Sequence, residues 1–528
     1  MQRHDVKPVT AESTRGSRLF ILGIFLVFRW VNANLTRTYD NPDEFWQATE
    51  VAHRLVFGSG YLTWEWIHRI RSYFHPLIFA ALYKGIHWCH WDTPTLVVNA
   101  PKYLQASLSA FGDVATYSLA KKVYGNHLAP YILFVILGSW FHFLMAARTL
   151  SNTLETVFTV MAMQDWPFPG MIRLESHQGL SAYRKSLFWA SLACITRPTN
   201  ALIWIFLGLQ SLYYAPSYQQ KKTLLINAEL IVSMMLALNV ILDTYMYTGH
   251  LPLIHQAWAN DLVFVPWTFI YTNIVQSIAL FYGTHPFHWY ISQGLPLMLF
   301  TFIPLTLYGL YQHSATTTTS TTTRALVQLV GWVVVVYSLL SHKEFRFLYP
   351  IFPLLMIFTA HGLDLLWQRL ALLKWILVAG LFVSQMALAL YVSLWHQRGV
   401  MDAMAWLSTQ PRSVGFLMPC HSTPWLSSLH DSPTMGPLWF LTCEPPLNSN
   451  IDNYLDQADR FYADPPAFLA SLSPWPNTLV MFDSLLLTPG IKPLFKDYVE
   501  CKRFFNSHVH WDSRRKGDVV ILCRNDSI

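Results

Sequence analysis

Eleven apolar stretches, each approaching the length of a bilayer crossing, leave this chain little choice of fold. They lie at roughly 18–33, 74–90, 102–120, 127–147, 150–164, 187–213, 223–243, 296–312, 325–340, 347–367 and 373–396. A helix needs about 20 apolar residues to cross a bilayer, and inside hydrocarbon a helix satisfies its own backbone. Only 12% of the 528 residues are charged, about half the share of a soluble domain. The expectation is a polytopic α-helical membrane protein with about eleven transmembrane helices.

Arg15 and Arg18 precede the first run, and no small-residue cleavage site follows it. This predicts a retained first helix and a cytosolic tail over 1–17. An odd number of spans then carries the C-terminus across the membrane. Residues 18–396 form the membrane domain, with far-side loops at about 34–73 and 244–295. Residues 313–324 (HSATTTTSTTTR) read as a disordered connector. The net charge of +6 is spread along the chain, so nothing points to nucleic acid.

From about residue 397 the pattern changes. Short β-like runs (Val414–Met418, Leu438–Cys443, Thr478–Phe482, Val519–Cys523) surround a helix-like run, Asp456–Leu472. They predict a small α/β domain over 397–528. Four of the six cysteines lie there, which suits an oxidising lumen and two disulfides. Pairing in sequence order, Cys420–Cys443 and Cys501–Cys523, is the simplest of three connectivities. Asn34 and Asn525 head N-glycosylation sequons.

Charge between apolar runs marks where chemistry could lie. His342-Lys343-Glu344-Phe345-Arg346-Phe347 sits between Ala325–Leu340 and Leu348–Ala360. Ionisable groups at a helix mouth are costly unless a site needs them, and three potential cations suit a lipid-linked phosphate. The first loop reads Tyr39-Asp40-Asn41-Pro42-Asp43-Glu44-Phe45-Trp46-Gln47. Asn41 and Pro42 start a helix, Phe45, Ala48, Ala52 and Val56 give it an apolar face, and Gly58 or Gly60 ends it. That helix is expected to lie along the membrane surface. Asp43 and Glu44 in its first turn could cap it or serve as a base.

Trp64-Glu65-Trp66, followed by Arg69 and Arg71, could form a sugar platform or an interfacial belt. The clusters Arg148–Glu155 and Thr196–Asn200 could bond helix to helix, or, at Arg197-Pro198, mark a broken helix lining a cavity. His285 and His288 lie among aromatics without the spacing of a metal site. No Asp-x-Asp pair, Walker loop or nucleotide-binding glycine motif is present, so no metal and no cofactor are expected.

PDEFWQATEVAHRLVFGSGYLTWEW from Pro42, RTLSNTLET from Arg148, TRPTN from Thr196, FYGTHPFHWYISQGLP from Phe281 and HKEFRFLYP from His342 together resemble glycosyltransferase family 22. These are multispanning mannosyltransferases of the endoplasmic reticulum that use dolichyl-phosphate mannose and have the C-type (GT-C) membrane fold. Asn41 stands where the family often has His. FLMPCHSTPW from Phe416 and FLTCEPP from Phe440 are similar to the branch that adds the third, α1,2-linked mannose to the glycosylphosphatidylinositol (GPI) precursor.

The resemblance implies an inverting single displacement without a cofactor, on two lipid substrates, in the endoplasmic reticulum membrane with its active site in the lumen. It casts Asp43 as base, with Glu44 in reserve. His342, Lys343, Arg346 and Arg197 would hold the donor phosphate. Trp64, Glu65, Trp66, Arg71, His285 and His288 are the substrate-binding candidates. Protein partners are not legible. The competing readings are a family member acting on the N-glycan lipid precursor, one adding a fourth GPI mannose, a lipid transporter or scramblase, and a non-catalytic scaffold.

Overall fold

The computed structural model describes residues 11–169, 174–250, 262–315, 321–371, 373–410, 413–432, 437–447, 454–472, 474–510 and 512–525. Each of the eleven apolar runs falls on helix. Among the described residues, six helices are long and apolar enough to cross a membrane: Gly16–Leu35, Tyr218–Thr248, Tyr290–Gln312, Thr321–Leu339, Phe345–Trp367 and Leu373–Leu407. A seventh is possible if Asn126–Gly138 and Trp140–Ala146, bent by 64°, count as one span. The run 187–213 is two helices, His177–Thr196 and Ala201–Tyr214, broken at Arg197-Pro198. Proline lacks the amide proton that would continue the ladder. The polar stretch 313–324 is not a connector throughout, because 313–315 end one helix and 321–324 begin the next; residues 316–320 lie outside the described residues.

Helix Ser151–Asp165 packs between His177–Thr196 and Pro94–Tyr124, and the latter packs on Ala11–Leu35. Helices Ile303–Ala315 and Phe352–Trp367 cross so closely that a Cβ on Gly309 would stand 2.2 Å from the Phe358 carbonyl oxygen, and one on Gly362 2.0 Å from that of Leu305. Small residues permit such approaches where no hydrophobic effect drives helices together.

A buried polar chain ties four of these elements. Arg29 Nε donates to Asp113 Oδ2 at 2.7 Å, Asp113 Oδ1 lies 2.6 Å from His142 Nε2, and His142 Nδ1 lies 2.7 Å from the Tyr349 hydroxyl. All four side chains are buried. Tyr349 belongs to the 3₁₀ segment Phe345–Ile351, so the chain anchors the stretch that carries Arg346.

The C-terminal region holds a mixed five-stranded sheet of order β2-β1-β3-β5-β4. Its strands are β1 (Val414–Leu417), β2 (Leu438–Phe440), β3 (Thr478–Phe482), β4 (Tyr498–Phe504) and β5 (Val519–Arg524). The first three pair in parallel, and β5 runs antiparallel to both β3 and β4. Four strands match the expected runs; β4 is an additional, largely exposed edge. The helix-like run is two helices, Gln457–Ala463 and Pro465–Ala470, divided by Asp464-Pro465. Cys420–Cys443 and Cys501–Cys523 are bridged, each with a Cα separation of 5.7 Å.

The sheet is buried on both faces. One face packs against Phe461, Leu469 and Leu485. The other packs against helix Gly399–Leu407 and against Tyr39, Phe45 and Trp46 of the first loop. That second core corrects the expectation of a helix lying on the membrane surface. The first-loop helix starts with a π-helical turn, Phe45–Thr49, continues as Glu50–Phe57 and ends at Gly58 (φ 80°). Its residues 45–53 are buried, sandwiched between helix Phe74–Trp88 and the C-terminal region. The polar positions do the docking. Trp46 Nε1 donates to the Thr423 carbonyl (3.0 Å), the Ser427 amide donates to Glu50 (2.6 Å), and His53 Nε2 meets His430 Nδ1 (2.9 Å). Residues 46, 50 and 53 share one helical face, and their partners recur at the same intervals.

Candidate active site

The first loop meets the charged stretch at its tip. Asn41 Oδ1 accepts from the Asp43 amide (3.0 Å), which fixes the helix start, while Asn41 Nδ2 reaches Glu344 Oε2 (3.5 Å). Arg346 Nη1 donates to Asp43 Oδ2 at 2.5 Å. Its Nε and Nη2 donate to the two oxygens of Glu344 at 2.6 and 2.8 Å, a fork-to-fork pair. Asp43 is 21% exposed and Arg346 13%, so the cluster is partly open to solvent. An acid and a cation 303 residues apart in sequence are therefore in direct contact.

His342 extends the cluster, with Nε2 3.3 Å from Glu344 Oε1 and Nδ1 3.1 Å from the Gly283 carbonyl. Burial works against its protonation, but the Glu344 carboxylate outweighs burial and raises its pKa. Burial likewise opposes ionisation of Glu344, and Arg346 and His342 reverse this, holding the carboxyl well below the usual range.

Arg197 joins from the helix break. It lies over the Phe347 ring at 5.7 Å, where Arg346 also stacks at 5.9 Å. Glu155 (3.3 Å) and Ser151 Oγ (3.2 Å) orient it, and Asn200 Nδ2 donates to Glu155. Arg71 donates to Glu65 at 2.6 Å and lies within electrostatic reach of Asp43 and Arg346. Glu65 also accepts from Gln47 Nε2 (2.8 Å). Arg346 thus contacts Asp43, Arg71 lies within its electrostatic reach, and Arg197 neighbours both arginines.

Other expected residues stand elsewhere. Glu44 is 2% exposed and paired with fully buried Arg148 at 2.8 Å; Arg148 also donates to the Thr38 carbonyl and hydroxyl and to the Leu144 carbonyl. Glu44 is thus neither a capping-box acid nor a second acid at the opening, because its carboxylate neutralises a buried cation. Lys343 is 2% exposed and turns to the carbonyls of His285 and Leu340, so it closes a loop and does not face the cluster.

Trp64 and Trp66 do not form an open platform. Trp64 is buried with Ile70 and Ile278 and donates to the Tyr282 hydroxyl (3.0 Å). Trp66 is 2% exposed and packs on Val51 and Tyr73. His285 packs on Trp289 with the rings tilted by 59° and 4.7 Å apart. His288 is exposed and tied to Ser292 one turn on. Among the described residues one side-chain grouping has metal-ligand geometry, Cys420, His421 and Cys443, but its two sulfurs form a disulfide.

The C-terminal region adds a residue from the FLMPCHSTPW motif that is not among the expected site residues. His421 packs on Trp46 at a ring distance of 4.1 Å, within electrostatic reach of Asp43. Burial pushes its pKa down to about 4, so the ring is neutral near pH 7.

Residues 20–430 match the Alg9-like mannosyltransferase family. The chain is 37% identical to mannosyltransferase APTG1 of Arabidopsis thaliana, over 97% of this chain and 93% of that protein. It is 38% identical to GPI mannosyltransferase 3 of Yarrowia lipolytica, with 99% of both covered. It is 36% identical to human GPI alpha-1,2-mannosyltransferase 3, over 94% and 85% of the two chains. In fold it is similar to ArnT from Cupriavidus metallidurans, in a crystal structure bound to undecaprenyl phosphate. The TM-score is 0.58 at 12% identity, over 96% of this chain and 98% of that one. A match of this extent, together with full-length relatives at this identity, identifies the chain as a member of the Alg9-like mannosyltransferase family.

Proposed function

We propose that this chain transfers mannose from dolichyl-phosphate mannose to the second mannose of the GPI precursor, forming an α1,2 linkage. The names of the full-length relatives support the acceptor and linkage. The undecaprenyl phosphate bound by the similarly folded ArnT supports a polyprenyl-phosphate donor. The reaction is placed in the endoplasmic reticulum lumen, with the sheet region from about residue 397 on the same side.

One observation carries the mechanism: the Asp43–Arg346 contact sets a carboxylate beside a cation in a partly exposed cluster. In a single displacement the acceptor hydroxyl oxygen bonds to the mannose C1 as the C1–O bond to phosphate breaks. The hydroxyl proton passes to Asp43, and dolichyl phosphate departs with the bonding electron pair. Inversion needs acceptor and leaving group on opposite faces of the sugar, with several ångströms between base and phosphate. The 2.5 Å ion pair must therefore part as the donor enters. The phosphate takes over Arg346, joined by Arg197 and Arg71, and Asp43 is released to receive the proton. Fixed cations in a low-dielectric site stabilise the leaving phosphate. Glu344 and Glu65 keep two of them oriented.

The test is transfer by purified protein from dolichyl-phosphate mannose to a GPI lipid ending in two mannoses, with the product probed by an α1,2-specific mannosidase. A mannosidase-sensitive three-mannose lipid is expected. Transfer only to N-glycan precursors would refute the acceptor assignment, and no transfer to any lipid would refute the enzyme reading.

A further inference from the structure

Two buried amides border the Asp43–Arg346 pair with no role in the displacement described above. Gln47 lies four residues beyond Asp43, one turn along the same helical stretch, and is 4% exposed. Its Nε2 donates to Glu65 at 2.8 Å. Asn152, 1% exposed, is the second residue of helix Ser151–Asp165, and its Nδ2 donates to the Arg346 carbonyl at 3.3 Å. Its neighbour Ser151 accepts from Arg197.

The remaining atoms, Gln47 Oε1 and Asn152 Oδ1, are buried and have no hydrogen-bond partner in the protein. Their identity follows from chemistry. Reversing either amide would press a carbonyl oxygen against the Glu65 carboxylate or the Arg346 carbonyl, so the nitrogen faces the acceptor in each case. The atoms left without any partner are two acceptor oxygens. Leaving a buried acceptor unpaired is costly, and two of them, one on the helical stretch that carries Asp43 and one on the amide bonded to the Arg346 backbone, call for a ligand that donates.

A phosphate cannot supply that, since its oxygens only accept and would be repelled. Arg346, Arg197 and Arg71 already answer the phosphate. Sugar hydroxyls donate. We propose that Gln47 Oε1 and Asn152 Oδ1 accept hydrogen bonds from two hydroxyls of the transferred hexose, and so set which sugar the donor lipid must carry. This rests on the polyprenyl-phosphate-sugar donor proposed above. A site built to pair a hydroxyl rejects the analogue lacking it far more strongly than a merely apolar pocket does.

The experiment measures kcat/KM for the wild type, Gln47→Met and Asn152→Ala with dolichyl-phosphate mannose and with its 2-, 3-, 4- and 6-deoxy analogues. The inhibition constant of dolichyl phosphate is measured in parallel. For the wild type, two of the analogues should lose about tenfold or more. In each variant, one of those two penalties should collapse towards unity, while dolichyl phosphate inhibits as before. Equal loss on every donor, or weaker inhibition by dolichyl phosphate in step with the lost activity, would overturn the subsite in favour of a structural or phosphate-binding role. Wild-type protein that transfers nothing from the intact donor would overturn the donor assignment, and the subsite with it.

Discussion

Glu44→Gln separates a structural acid from a catalytic one. Glu44 and Arg148 are 2% and 0% exposed and 2.8 Å apart. Glutamine keeps the shape and one acceptor but removes the contacting charge, leaving the buried Arg148 guanidinium only the more distant Asp40 carboxylate. Breaking a buried pair from one side costs about 3–5 kcal/mol, whereas the two Thr38 contacts and the Leu144 carbonyl are neutral acceptors that cannot replace the charge. The expected loss is therefore about 3 kcal/mol or more, seen as a fall in unfolding midpoint on the order of 5 °C in detergent. Protein that remains folded should keep turnover within about tenfold of wild type, since the Asp43–Arg346 pair is untouched. Glu44→Gln/Arg148→Met should recover part of the stability, because removing both charges removes the penalty. An unchanged melting temperature with turnover reduced by about a thousandfold would refute this reasoning and return Glu44 to the chemistry.

Asp43→Asn should lower turnover by about 10²–10⁴-fold with the melting temperature nearly unchanged, because its pair with Arg346 is partly exposed; substantial residual turnover would exclude Asp43 as base. Arg346→Lys keeps the charge but loses the fork that grips Glu344 and Asp43, so donor kcat/KM should fall by about tenfold or more; an unaltered value would move the phosphate away from Arg346. The His342 charge is retained below its raised pKa and lost as pH climbs through it. Donor KM should therefore rise on the alkaline side of the ordinary histidine value near 6.5, and His342→Gln should flatten that limb; a limb unchanged in the variant would assign it to another group. Trp66→Ala should destabilise the fold by about 3–5 kcal/mol as a core deletion, against the small effect expected of an exposed sugar platform.

Pattern made the helices and most of the sheet legible, because burial in lipid or between layers writes long or alternating apolar runs. The edge strand β4 escaped since Glu500, Lys502 and Arg503 interrupt it, and an edge facing water needs no apolar alternation. Asp43 and Arg346 could be singled out as charges out of place. Their contact could not, because nothing local encodes a pairing across 303 residues. The tryptophans misled for a physical reason: an indole beside an acid suits a sugar equally well as it suits a core with one polar edge. Lys343 and Glu44 misled similarly, since a charge at a helix mouth has the same appearance whether it faces a ligand or a buried partner. Gln47 and Asn152 stand inside the family motifs, but their free oxygens left no trace, because an unpaired carbonyl oxygen exists only in three dimensions.

The docking of Trp46, Glu50 and His53 onto Thr423, Ser427 and His430 spans 377 residues of chain. At translation rates of about 5–20 residues per second, the segment bearing Asp43 emerges roughly 20–75 s before its cover is made. During that interval Phe45 and Trp46 have no native partner from the sheet. The helical stretch that follows the acid proposed for catalysis thus gains its final cover late in biosynthesis, only after residue 430 has been made.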